Sequence, residues 1–277
     1  MKGWTCAALA GAAAICALAV DNRAVLRSYR MKTARLKAGA SLRLAYLSDL
    51  HSEPQRFRRE RILRLIKEAR PDILLLGGDI LDGWRADGET YGFLRRLSAI
   101  APVYAAMGNH ECRNRRLYEM RAGMRDCGVH LLCDEYRLVP GAGNQPAFWI
   151  GGMEDMAAPQ FYGPYHWAAR LKETMAPLAA KEGVRILLSH RPLPSVYFGL
   201  PVDLILSGHA HGGQVRLPGV PGGLYTPDEG FLPRYAGGAY RYNGKLHIVG
   251  RGASCFFFPP RVNNPPEVVS IQLDGKG

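Results

Sequence analysis

Five short apolar runs, Leu42–Leu47, Ile73–Leu76, Val103–Met107, Val184–Leu188 and Val202–Leu206, each break off into a tail of carboxylate or imidazole side chains. The tails are Asp49-Leu50-His51, Gly77-Gly78-Asp79, Gly108-Asn109-His110-Glu111, Ser189-His190 and Gly208-His209-Ala210-His211-Gly212-Gly213-Gln214. A run of four to six β-branched or aliphatic residues bounded by turn residues reads as a buried strand. Strands that all end in such tails predict loops converging at one sheet edge, where an open α/β sheet binds its ligand.

The chemistry of the tails is narrow. Asp49, His51, Asp79, Asn109, His190, His209 and His211 supply carboxylate, imidazole and one carboxamide, with no thiol among them. This donor set suits manganese, iron, cobalt or zinc. Seven side chains exceed what one ion takes and suffice for two if Asp79 bridges, with positions left for water. Two divalent ions carry more positive charge than Asp49 and Asp79 cancel, so the centre would remain cationic and favour an anionic phosphoryl group.

Taken singly, several tails have plainer readings. Asp49-Leu50-His51 is also a turn with a helix N-cap, and Gly77-Gly78-Asp79 an ordinary strand-to-turn junction. The four consecutive residues Gly108 to Glu111 are more specific. The most specific is Gly208 to Gln214, because a plain turn has no use for two imidazoles one residue apart. Glu111 either orients His110 or sits in the first turn of the next helix, where acids are favoured. His130, His166 and His247 lie outside the set and read as surface or core-edge residues, and Asp155 as a loop residue.

The order of these motifs resembles the calcineurin-like metallophosphoesterase superfamily over Leu42 to Leu273. The resemblance implies a four-layer α/β/β/α sandwich and two divalent metal ions, manganese first among them. Asp49, His51, Asp79 and His211 would hold one ion, and Asp79, Asn109, His190 and His209 the other. His110 would be the acid that binds no metal. The Gly208–Gln214 segment, with Arg251-Gly252 and Pro266-Glu267-Val268, is similar to a branch of membrane-linked bacterial phosphodiesterases. That branch implies a hydrolase of a phosphodiester or pyrophosphate bond, with a lipid-linked substrate such as UDP-2,3-diacylglucosamine giving lipid X and UMP. Arg191 departs from the pattern, since relatives often carry Asn there, which bears on substrate contacts rather than on metal binding. A scaffold that had lost catalysis would lack ligands or the acid, and none is missing here.

At 277 residues and 47% apolar content the chain can bury one large core, and alternating strand and helix patterns predict a single α/β domain. That catalytic domain is expected over residues 41–277. The N-terminus carries a separate signal. From Gly3 to Val20 there is no charge, a length close to that of a membrane span. Arg23, Arg27, Arg30, Lys32, Arg35 and Lys37 follow it against the single acid Asp21. The expectation is therefore an anchor over 1–20, a basic juxtamembrane linker over 21–40, and a domain on the cytoplasmic side of an inner membrane. A cleaved signal peptide ending near Ala17-Leu18-Ala19 is the alternative, but its basic charge would lie on the wrong side of the apolar run.

A net charge of +12 admits nucleic acid, anionic lipid or anionic small substrates as partners. The anchor and the absence of a nucleic-acid module argue against nucleic acid, which stands second as substrate. Residues 55–70 read as an amphipathic helix, with Ile62, Leu63, Ile66 and Ala69 on one face and Arg56, Arg59, Arg64 and Lys67 elsewhere. Its first turn falls near the rim of the metal site. The Gly- and Pro-rich tract Pro218–Gly238 reads as a long loop that could shape substrate access. Cys255-Phe256-Phe257-Phe258-Pro259-Pro260 reads as a core loop or an apolar shelf. Cys112, Cys127, Cys133 and Cys255 lack the spacing of a disulfide framework and read as reduced thiols.

Overall fold

The computed structural model describes residues 19–85, 87–141, 146–160, 164–220, 222–255 and 260–276. Fourteen strands among them form two six-stranded sheets and one small hairpin. The first sheet has the order β1-β14-β2-β3-β4-β5, from β1 (Val25–Thr33), β2 (Ser41–Leu47), β3 (Ile73–Gly77), β4 (Val103–Ala106), β5 (Val129–Leu131) and β14 (Glu267–Gly275). The second has the order β12-β13-β9-β8-β7-β6, from β6 (Glu135–Val139), β7 (Phe148–Met153), β8 (Arg185–Ser189), β9 (Leu204–Ser207), β12 (Gly238–Tyr242) and β13 (Lys245–Val249). The strands β10 (Tyr225–Thr226) and β11 (Gly230–Phe231) pair with each other alone.

The core explains the layering. Leu42, Leu44 and Leu75 of the first sheet pack against Phe148, Ile186, Leu204 and Ile248 of the second, so the sheets lie face to face. Helix 56–69, whose Ile62, Leu63 and Ile66 are buried, covers the outer face of the first sheet together with helices 88–98 and 117–126. Trp167, Leu171 and Met175 of helix 164–175 cover the outer face of the second. The result is helix, sheet, sheet, helix. Strands buried on both faces lose the polar alternation of half-exposed strands, which is why β3 reads as an unbroken apolar run and β8, buried throughout, carries Ile186-Leu187-Leu188 without alternation.

Two expectations change. The five tails do not share one sheet edge: β2, β3 and β4 belong to the first sheet, β8 and β9 to the second. Within each sheet these strands are parallel, so their carboxyl ends emerge together, and the site forms where the two edges meet. The stretch 21–40 is no linker either, since Val25–Thr33 pairs in parallel along the whole of β14. Its alternation hides in the charge: Arg30 and Lys32 are exposed while Met31 and Thr33 are buried. Lysine and arginine on an edge strand discourage edge-to-edge aggregation.

The anchor expected over residues 1–20 falls, apart from Ala19 and Val20, outside the described residues. Among the described residues no helix is long and apolar enough to cross a membrane. The aromatic run Phe256–Phe258 also lies outside them.

Candidate metal centre

The loops after β2 and β3 are zipped together by backbone, Asp49 N–H donating to the Gly78 carbonyl at 3.0 Å and His51 N–H to that of Asp79 at 2.9 Å. Bonds between the sheets complete the frame. His209 N–H donates to Asp49 Oδ1 at 2.9 Å, and His190 Nδ1 donates to the Gly77 carbonyl at 2.7 Å. The second of these fixes the His190 tautomer and leaves Nε2 facing the site.

Three overlapping groups result, each with ligand atoms within 4.8 Å of one another: Asp49, His51 and His211; His51, Asp79 and His110; Asp79, His190 and His209. Asp79 lies between the outer two, its Oδ2 3.1 Å from His190 Nε2 and 3.8 Å from His51 Nε2. Imidazole nitrogens meet head to head, His51 Nε2 with His211 Nε2 at 3.2 Å and His209 Nδ1 with His190 Nε2 at 3.3 Å. Asn109, next in the chain to His110, is buried as well. The structure thus brings together six of the seven side chains singled out from sequence, and His110 with them.

Local backbone shows what this arrangement costs. Asp49, His51, Asp79, His209 and His211 all have φ between 46° and 65°, a left-handed region that costs a non-glycine residue roughly 1–3 kcal/mol and persists mainly at functional sites. The flanking glycines are steric necessities. A Cβ on Gly108 would stand 2.2 Å from Asp79 Oδ1, and one on Gly208 2.4 Å from Asp49 Oδ2.

Electrostatics separates the imidazoles. Burial opposes the charged form of His190, but the adjacent Asp79 carboxylate outweighs it and holds the imidazole up at about 10. Burial, reinforced by the His51 ring and the Arg261 guanidinium, takes His211 down to about 3 against the pull of Asp49. His110 is raised, mainly by its bond from Nδ1 to Asp82 Oδ1 at 3.0 Å. It is half-buried at the rim, where it lines an open cavity of about 190 Å³ with Trp84, Arg113 and Asn114. The ring meets His51 edge-on at 4.5 Å between centroids.

The donor set also fits divalent cations by what it leaves unmet. Asp49 Oδ2 and Asn109 Oδ1 are buried without a hydrogen-bond partner among the described residues. A buried acceptor with no donor calls for an ion or water.

Several residues here escaped the sequence reading. Asp82 follows Asp79 by three positions, and that spacing was the only signal for it. Glu111 does sit in the first turn of helix 109–112, as read, but its further part was missed: it is fully buried and accepts four backbone N–H bonds, from Asp79, Ile80, Leu81 and Gly108, at 2.6–2.9 Å. It therefore clamps two site loops rather than orienting His110. Asp228 stands 3.2 Å from His209 Nε2 and left no local trace in sequence. Arg191 is buried between Asp155 at 2.7 Å and Asp228 at 2.5 Å, so it braces the loop that carries His190 and Asp155 is no bystander. His247 is a satisfied core residue, bonded to Tyr242 and Ser207, and burial lowers it to about 3.

A sandwich of two facing sheets whose parallel strands end in this histidine and carboxylate cluster defines a metal-dependent phosphoester hydrolase. The calcineurin-like phosphoesterase family model matches residues 42–213, and the chain belongs to that family. An uncharacterized metallophosphoesterase of Aquifex aeolicus is 28% identical over 260 residues, spanning 91% of this chain and 92% of that protein. The Escherichia coli protein named phosphodiesterase YaeI is 28% identical over 246 residues, spanning 84% of this chain and 83% of its own length. The structure of TT1561 of Thermus thermophilus superposes with a TM-score of 0.53 at 11% identity, covering 78% of this chain and 91% of that one, a likeness of fold.

Proposed function

We propose that the chain cleaves a phosphodiester or pyrophosphate bond in a lipid-linked substrate. Asp49, His51, Asp79 and His211 would hold one divalent ion, and Asp79, Asn109, His190 and His209 a second. The observation that carries this is the position of Asp79 Oδ2 between two imidazole and carboxylate groups, beside buried acceptors with nothing to accept. When bound, the ions would supply Lewis-acid polarisation of the phosphoryl oxygens and a more acidic water.

The chain's own residues do the rest. The Asp82 carboxylate accepts the hydrogen bond of His110 Nδ1–H and so favours the charged imidazole, whose other nitrogen can then give a proton to the leaving oxygen. Glu111 holds the Asp79 and Gly108 loops in register. The name of the E. coli relative supports a diester over a monoester. The lipid-linked form is supported by the uncharged run from Gly3 to Val20, the basic residues after it and the net charge of +12.

The test is a screen of purified protein against lipid-linked pyrophosphates, UDP-2,3-diacylglucosamine among them, simple diesters and nucleotides, with metal analysis of the same sample. Preference for the lipid-linked compounds is expected. Preference for cyclic nucleotides or nucleic acid would replace the lipid reading while leaving the hydrolase intact.

A further inference from the structure

Large apolar side chains left in solvent are unevenly placed. Among the described residues half of them, Leu217, Val220, Leu224, Tyr225, Phe231 and Leu232, fall within residues 217–232, and Phe231 is 76% exposed. Scattered exposed apolar residues need no explanation, whereas a contiguous group marks an interaction surface. The group is firmly mounted. Leu224 N–H donates to the Gly213 carbonyl at 3.0 Å, Leu232 N–H to the Leu224 carbonyl at 2.9 Å, and the Tyr225 and Phe231 rings meet edge-on across the β10–β11 hairpin at 5.4 Å.

Two observations say what covers it. The first is where the chain enters. The Ala19 carbonyl accepts the Asn263 N–H at 2.6 Å, and Asn263 Nδ2 donates to the Arg216 carbonyl at 3.2 Å. The uncharged stretch that ends at Val20 therefore meets the folded domain at the foot of the apolar excursion, one residue from Leu217. The second is charge. Asp228 of the hairpin turn is paired with Arg191 and His209, while Glu229 accepts the backbone N–H groups of Arg234 and Tyr235 at 2.8 and 3.0 Å and keeps its charge beside the Arg234 side chain. Arg234 is exposed, and the chain as a whole is strongly basic.

We propose that residues 217–220 and 222–232 form a docking element that seats on an anionic lipid bilayer surface beside the point where the N-terminal apolar run joins the domain. Apolar side chains flanked by basic ones bind at the headgroup level through burial plus attraction to anionic lipid. The same hairpin delivers Asp228 to His209, so docking sets the mouth of the metal centre at the lipid surface. Its use in catalysis rests on the lipid-linked reading above, but docking itself is measured without turnover.

The experiment uses the full chain with vesicles of phosphatidylcholine alone or mixed with phosphatidylglycerol, at low and high salt. Phe231→Trp is quenched by lipids brominated along the acyl chain beyond whatever quenching the parent's own tryptophans show. Phe231→Ser with Leu232→Ser lowers partition onto the mixed vesicles about tenfold or more. Both variants keep the parent rate on a soluble aryl diester, since neither residue touches the metal centre. Absence of extra quenching at position 231, or unchanged partition of the double variant, overturns the proposal and leaves any vesicle binding to the N-terminal run. A parent that is dimeric without vesicles, with a monomeric double variant, overturns it in favour of a second copy. Quenching in a protein that hydrolyses no diester supports docking and removes the hydrolase reading instead.

Discussion

At the residue scale, the centre is built from groups whose positions are unfavourable without a cation. Five candidate ligands adopt left-handed backbone, and two acceptors are buried without a donor. His110 differs from them: Asp82 bonds its Nδ1, and Asp79 Oδ1 accepts its backbone N–H at 2.8 Å. A residue that donates a proton but holds no ion should separate chemistry from metal content. In His110→Ala, metal content stays at the parent level while hydrolysis of a diester with a poor leaving group slows by roughly 10²–10⁴. An activated aryl leaving group suffers less, and equal loss on both substrates would remove His110 as the acid. The ligand residue types were legible in sequence because they are chemically unusual after apolar runs. Asp82 and Asp228 were not, because a carboxylate near a turn is common and only the fold shows what it faces.

At the element scale, glycines set how closely loops can approach. Gly208 lets the loop after β9 close on Asp49, leaving no room for a methyl group. Gly208→Ala should keep the four-layer fold, with unchanged far-ultraviolet circular dichroism, yet displace the Asp49 carboxylate and weaken cation binding at its site. The strain of such an added group is typically about 1–3 kcal/mol, so roughly tenfold weaker binding or more is expected. Metal affinity equal to the parent's would show that the loop has slack. The clamp at Glu111 acts on the other side, and its removal strands four backbone donors. Glu111→Ala in metal-free protein should lose about 3 kcal/mol in urea unfolding, and a loss under about 1 kcal/mol would mean the loops hold themselves.

Elements differed in how well their sequences announced them. The apolar runs of β2, β3, β4, β8 and β9 mapped onto strands within a residue or two, as did helix 56–69. Even there Arg59, placed by sequence off the apolar face, is buried and bonds Glu53 and Glu89. β1 was misread because its exposed positions are basic, and basic residues after an apolar run mimic a juxtamembrane collar. The hairpin β10–β11 is two residues per strand, too short for any periodicity to register.

At the scale of the whole molecule, the assignment to two sheets rather than one matters most. Periodicity identifies a strand but not its sheet, since a run buried on both faces reads the same in either. Only the pairing of β2 with β14 and β3, and of β9 with β13 and β8, separates them. That separation places Asp49, Asp79 and Asn109 on one wall and His190, His209 and His211 on the other, so cations would bind across the seam between layers. In the metal-free chain Asp79 keeps His190 protonated, so binding must expel that proton and strengthen as pH rises toward about 10.

The most direct test of this account is to strip the protein with a chelator, then titrate manganese while following bound metal and hydrolysis of a soluble diester together. The account predicts no turnover in the stripped protein, two ions bound per chain at saturation, and loss of both stoichiometry and turnover in Asp79→Ala. Full turnover after stripping, or saturation of turnover at a single ion with Asp79→Ala unaffected, would contradict it.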